Sequence, residues 1–183
     1  MHTALLVIDV QQSFLHRDYW NEQQLPAYQA AQLRLVDGFQ RAGQPVVNIL
    51  HMDDDEPFTE ASGLVKPMDW LGHTPNAVFI KHVHNAFTDT GLKAWLDERG
   101  IRRIAVSGIR TEQCCETTTR VASDLGFEVD FVSEATLTFA MAHPLSGQHY
   151  DPADIRARTE LVLSGRFARI ATVEQALAAL PTP

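Results

Sequence analysis

Short apolar runs recur along this chain, and most are followed by a segment whose nonpolar residues fall at helical spacing. Thr3 to Val10 is the first, a nearly continuous apolar stretch carrying Asp9 at its end, the pattern of a strand buried on both faces. Pro26 opens a helical segment with Leu33, Val36, Phe39 and Ala42 on it, and Gly43 closes it. Further strands are predicted over 45–50, 77–82, 101–107, 127–132 and 168–172. Helices are predicted through Leu92, Trp95 and Leu96 to Gly100, and over 112–125, 154–163 and 173–180. From His51 to Pro75 the periodicity dissolves into Asp, Pro, Gly and Thr, the composition of a long surface loop able to cover a site. The alternation predicts an α/β fold, a mostly parallel sheet with helices on both faces.

The chain has 183 residues, enough for one domain spanning 1–183 to bury its own core. Its formal net charge of -8 repels phosphate backbones and anionic lipid, which argues against nucleic-acid and membrane partners. No apolar run approaches the roughly 20 residues that cross a bilayer. The amino terminus turns acidic too soon for a secretory signal, so the cytoplasm is the expected location and a small molecule the expected partner.

In sheets of this kind, ligands bind beyond the carboxyl ends of the strands. Asp9, His51, Lys81 and the turn at Gly108 fall at four such ends. The last turn runs Ser107-Gly108-Ile109-Arg110-Thr111-Glu112-Gln113-Cys114-Cys115-Glu116 from strand to helix. Thr111 reads as the N-cap, its hydroxyl reaching the amide of Cys114. A thiol in the first helical turn, close to a lysine, is expected to have a lowered pKa. The two cysteines are adjacent, a spacing that suits neither a disulfide nor a zinc site. Each feature also has a plain structural reading: a small core cysteine, and a partly buried Asp–Lys ion pair.

Three segments together resemble the isochorismatase-like cysteine hydrolases. Asp9 in Val7-Ile8-Asp9-Val10-Gln11-Gln12-Ser13-Phe14 resembles that family's D-x-Q-x-x-F opening, and Lys81 with Asn85-Ala86-Phe87 resembles its K-x-x-x-(S/N)-A-F segment. Gly108 to Thr118 resembles its G-x-x-T-x-x-C-(V)-x-x-T signature, with Cys115 at the usual apolar position. The resemblance implies a three-layer α/β/α sandwich around a six-stranded parallel sheet. It also implies a triad of Cys114 as nucleophile, Asp9 as proton carrier and Lys81 as the cation beside the sulfur. The backbone amides of Arg110 and Cys114 would form the oxyanion hole, with a non-proline cis peptide at Ile109–Arg110, and the family's habit of assembling implies a homo-oligomer.

Relatives that hydrolyse nicotinamide hold a metal with an Asp-x-His pair near the second strand. Here that region reads Asn48-Ile49-Leu50-His51-Met52-Asp53, so neither a metal nor another cofactor is expected. His82 and His84, two apart, are expected on one strand face, and Asp53-Asp54-Asp55-Glu56 as a solvated loop. Phe14, Trp20, His51, Trp70, His84, Phe87 and Glu112 are the candidates for shaping a pocket. A cysteine nucleophile favours attack on an acyl carbon of an amide, ureide or carbamoyl group. The alternatives are ether or ester hydrolysis on the same scaffold, or a silent binding or assembly module.

Overall fold

The computed structural model describes residues 2–181. Its strands are β1 (Thr3–Ile8), β2 (Val46–His51), β3 (Ala77–Lys81), β4 (Arg103–Ile109), β5 (Glu128–Leu137), β6 (Met141–Ala142), β7 (His149–Tyr150) and β8 (Arg169–Ala171). The helices are α1 (Leu25–Arg41), α2 (Leu92–Glu98), α3 (Glu116–Asp124), α4 (Pro152–Leu163) and α5 (Val173–Ala178). Six strands form one sheet in the order β3-β2-β1-β4-β5-β8, and every pairing in it is parallel. The fold is therefore the expected three-layer α/β/α sandwich.

Period-two alternation along the central strands explains the layers. Leu5 and Val7 of β1 pack with Ala105 of β4 into a core shared with Leu35 and Phe39 of α1 and Val173 of α5. Ala4, Leu6 and Ile8 point the other way, joining Ile104, Val106, Leu92, Leu96 and Ala122 beneath α2 and α3. All six residues of β1 are buried, so the strand reads as unbroken apolar sequence.

The chain leaves β1 toward β2 and β3 on one side and returns to place β4, β5 and β8 on the other. Strand order thus reverses between β1 and β4, where a crevice opens at the carboxyl ends of a parallel sheet. Gly108 permits the closest approach there. It takes φ +128, and a Cβ on it would lie 1.9 Å from the Ile8 carbonyl oxygen. The β4–β5 register also shifts between Val106 and Gly108, carrying β5 on to Leu137, well past the predicted end at 132.

Three expectations need correcting. The 51–75 segment is only partly a surface loop, because Phe58, Met68 and Leu71 are buried in the α1-side core. Its backbone folds onto the chain after β1, with Gln12 N–H donating to Lys66 O and Met68 N–H to Val10 O. The third strand ends at Lys81, so His82 and His84 lie beyond it and share no strand face. Finally, the helix carrying the cysteines begins with a wide π-helical turn over Thr111–Cys115. Arg110 precedes that turn, and its carbonyl accepts from the amides of Gln113 and Cys115, both at 3.2 Å. Thr111 is not the cap; its hydroxyl hydrogen-bonds that of Thr136 at 2.8 Å.

Candidate active site

The residue after β1 is Asp9, held at φ 53, a left-handed conformation uncommon for a non-glycine residue. Its amide donates to Ile49 O at 2.8 Å, tying the end of β1 to β2. Lys81 is the last residue of β3, and its Nζ lies 2.9 Å from Asp9 Oδ2. The same ammonium lies 3.4 Å from Cys114 Sγ and 3.1 Å from His51 Nδ1. Asp9 and Lys81 are fully buried and Cys114 nearly so, at 7% exposure. Residues from β1, β2, β3 and the turn after β4 thus converge on one ammonium group.

Burial opposes a charge on Lys81, but the Asp9 carboxylate and the Cys114 sulfur beside it hold its pKa above the usual lysine value. The cation is therefore secure at neutral pH. Cys114 goes the other way from the sequence expectation. Burial and then the Asp9 charge push its thiol well above the ordinary range, and the Lys81 cation only partly offsets them. The reason is the desolvated setting: a thiolate here would share a dry pocket with the Asp9 carboxylate. Resting Cys114 is a thiol. Lys81 takes up Asp9 Oδ2, while Oδ1 has no hydrogen-bond partner among the described residues and is left to accept a proton.

His51 is neutral. Burial and the neighbouring Lys81 lower its pKa, while Asp9 and Asp53 only partly resist. Its Nδ1 accepts from the Lys81 ammonium, so the proton sits on Nε2, which faces Asp53 Oδ2 at 3.1 Å. Gln11 clamps this residue from below: its Nε2 donates to His51 O at 2.9 Å and its Oε1 accepts from His51 N at 2.8 Å. Both ring nitrogens of His51 are engaged, and no three His, Cys, Asp or Glu side chains among the described residues group as metal ligands would. The residues present therefore do not fit the metal site that the family resemblance raised.

The Ile109–Arg110 peptide is cis. Arg110 itself is buried at 7% exposure, and its guanidinium pairs with Glu112 at 2.9 Å. Thr138 donates to the other Glu112 oxygen at 2.6 Å. The guanidinium also lies over the rings of Tyr19, 4.8 Å from its centroid, and Phe139, at 5.7 Å.

Of the pocket candidates, His51 contacts Lys81, and Glu112 pairs with Arg110. Trp20 packs on Phe139 at 5.3 Å between centroids, and the exposed His84 ring is 6.5 Å from His51. Phe14, Trp70 and Phe87 serve packing instead. Phe14 meets Phe58 edge to face, Trp70 meets Tyr28, and Phe87 stacks on Phe127 at the far end of β5. The acidic run is not simply solvated, because Asp53 engages His51. Sequence reasoning missed Gln11, which stands in the quoted D-x-Q segment, and Tyr19, Thr138 and Phe139, which no periodicity marks. Cys115 is fully buried beside Cys114, and burial pushes its thiol far up.

The family model of the isochorismatase domain matches residues 3–151. The chain belongs to the isochorismatase family. Its isochorismatase-family relatives include an uncharacterized protein, YrdC, of Bacillus subtilis, 29% identical over 180 residues and covering 94% of this chain and 92% of that one. Nicotinamidase 3 of Arabidopsis thaliana is 40% identical over 65 residues, which is 36% of this chain and 33% of the relative. Among solved structures, an isochorismatase-family protein from Chromobacterium violaceum superposes with a TM-score of 0.88 at 26% identity, covering 98% of this chain and 93% of that one. As an isochorismatase-family member, this chain is a hydrolase.

Proposed function

We propose that the protein hydrolyses a C–N bond of a small amide, ureide or carbamoyl compound through a thioester on Cys114. The observation that carries this reading is the buried convergence of Cys114, Lys81 and Asp9, with Lys81 Nζ 3.4 Å from the sulfur and 2.9 Å from the carboxylate. Because the resting thiol is protonated, deprotonation accompanies attack. As the Cys114 sulfur bonds to the acyl carbon, its proton passes to the open Asp9 carboxylate. The Lys81 ammonium stays beside the sulfur and offsets the charge that develops there. The amides of Arg110 and Cys114 donate to the oxyanion of the tetrahedral intermediate.

Collapse breaks the C–N bond, and Asp9 returns the proton to the departing amine. Water then attacks the thioester, giving its proton to Asp9, and the acid leaves with Cys114 restored as a thiol. No step uses a metal or another cofactor.

A screen of small amides and ureides in the presence of EDTA, read by ammonia release, tests the reaction. Acid-quenched enzyme analysed by intact mass spectrometry should carry one acyl group on the peptide containing Cys114. Turnover that releases no amine, with no adduct, would instead place the protein with ether or ester hydrolysis on this scaffold.

A further inference from the structure

The segment that bears Cys114 also carries a second buried ion pair that the reaction above does not use. Arg110 immediately precedes the turn bearing Cys114, and its guanidinium is matched by Glu112 at 2.9 Å. The Arg110 and Glu112 side chains are each only 9% exposed. Thr138 holds the other Glu112 oxygen, while the Tyr19 and Phe139 rings lie against the guanidinium. Within this dry cluster two polar atoms are buried without a hydrogen-bond partner among the described residues: the donor Arg110 Nε and the acceptor Glu112 Oε1.

A buried arginine beside a nucleophile suggests capture of a substrate carboxylate. Here the charge count opposes that. The Arg110 cation is already offset by Glu112, as the Lys81 cation is offset by Asp9. A carboxylate arriving in the crevice would be a third anion facing two cations in a low-dielectric pocket, with Glu112 as its near neighbour. A neutral acceptor adds no charge and still satisfies the spare Nε–H, which is otherwise left buried and unpaired.

We infer that the Arg110–Glu112 pair makes this site selective for uncharged acyl compounds that present a hydrogen-bond acceptor to Arg110, and that Glu112 is the residue that rejects anionic ones. The inference rests on the reading of Cys114 as the nucleophile facing substrate.

Iodoacetamide and iodoacetate are a matched neutral and anionic pair, and both transfer their carbon to a thiolate with loss of iodide. The test compares their rates of alkylating Cys114 in the native full-length protein, by peptide mass spectrometry, normalised to the same ratio for glutathione. Both reagents draw on the same thiolate fraction, so the raised Cys114 pKa cancels. The normalised preference for iodoacetamide is expected to be about tenfold or more, and to fall several-fold in Glu112→Gln. Asp124→Asn, an equal charge change on the exposed end of α3, should leave the ratio in place. Arg110→Gln, which strands the Glu112 charge, should sharpen the rejection of iodoacetate and slow iodoacetamide as well.

The inference is overturned by a wild-type preference for iodoacetate, by a ratio unmoved in Glu112→Gln, by an equal shift in Asp124→Asn, or by a Cys114 that neither reagent reaches. Failure of the nucleophile reading shows differently: ammonia release persisting in Cys114→Ala.

Discussion

Cys114 and Cys115 carry the same side chain on adjacent residues, and the turn that holds them gives each a different neighbour. Cys114 meets the Lys81 ammonium, while Cys115 is wholly enclosed in the core under α3. Cys114→Ala should therefore reduce turnover by at least about a thousandfold, the scale seen when a nucleophile is removed from a coupled set. Asp9→Asn and Lys81→Ala should be comparably severe, and Cys115→Val should keep most activity, all read as kcat/KM on one substrate. Full activity in Cys114→Ala would end the thioester mechanism. His51 supports a second prediction. Its pKa is lowered in the fold, first by burial and then by Lys81, so the native state prefers it neutral. The stability gained is complete above the unfolded value near 6.5 and is lost as pH falls through the lower folded value. Protonation would set two cations 3.1 Å apart at Lys81. Below pH about 6.5 the urea midpoint of the wild type should drop faster than that of His51→Gln, which can accept from Lys81 and donate to Asp53 at any pH. Parallel curves for the two proteins would remove His51 from the acid response.

At the scale of elements, the join between β1 and β4 is the most constrained point. Gly108 has φ +128, and a Cβ there would overlap the Ile8 carbonyl at 1.9 Å. Gly108→Ala should cost roughly 3 kcal/mol or more through overpacking and backbone strain, measured by urea unfolding or seen as loss of soluble protein. A variant of wild-type stability would mean that β1 and β4 are less closely joined. The strands of the sheet were legible because each is a local apolar run whose pattern survives in isolation, and so were the residues at their ends. What was hidden depends on non-local or subtle backbone geometry. A π-helical turn uses the same residues as an α-helical one, so Thr111 looked like a cap while its hydroxyl actually meets Thr136. Strand β5 looked finished at Val132 because Ser133 and Glu134 follow, yet after the register shift Ala135, Thr136 and Leu137 are buried beside β4. Phe58, Met68 and Leu71 have no period at all and are buried only because their loop bonds back to residues 10–13. The Cys114 pKa was misjudged for a related reason: a helix terminus is visible in sequence, but the depth of burial that outweighs it is not.

Across the whole molecule, the described residues contain no helix long and apolar enough to cross a membrane, and one element stands away from both cores. The hairpin β6–β7 is exposed at every residue from 140 to 151, with Leu145 at its tip 92% exposed and Met141 and Tyr150 on its strands. A lone two-stranded hairpin is marginal in water, and a polar sequence would be the ordinary choice for a tip so exposed. Nearby α4 leaves Leu161 78% exposed. We propose that this face is covered by a second copy of the chain, which is the assembly the family resemblance implies. It also borders the Arg110–Glu112 pair, because Glu112 lines a cavity of about 640 Å³ together with Met141, Tyr150 and Arg158. Light scattering at micromolar concentration should give a mass of two chains or more. Leu145→Asp, which places a charge where apolar burial is proposed, should shift that mass toward the monomer while far-ultraviolet circular dichroism stays unchanged. If the contact also closes the site, the dissociated variant should lose activity through a raised KM at low protein concentration and recover it as concentration rises. A wild-type protein that scatters as a monomer would leave the hairpin unpartnered and refute the assembly.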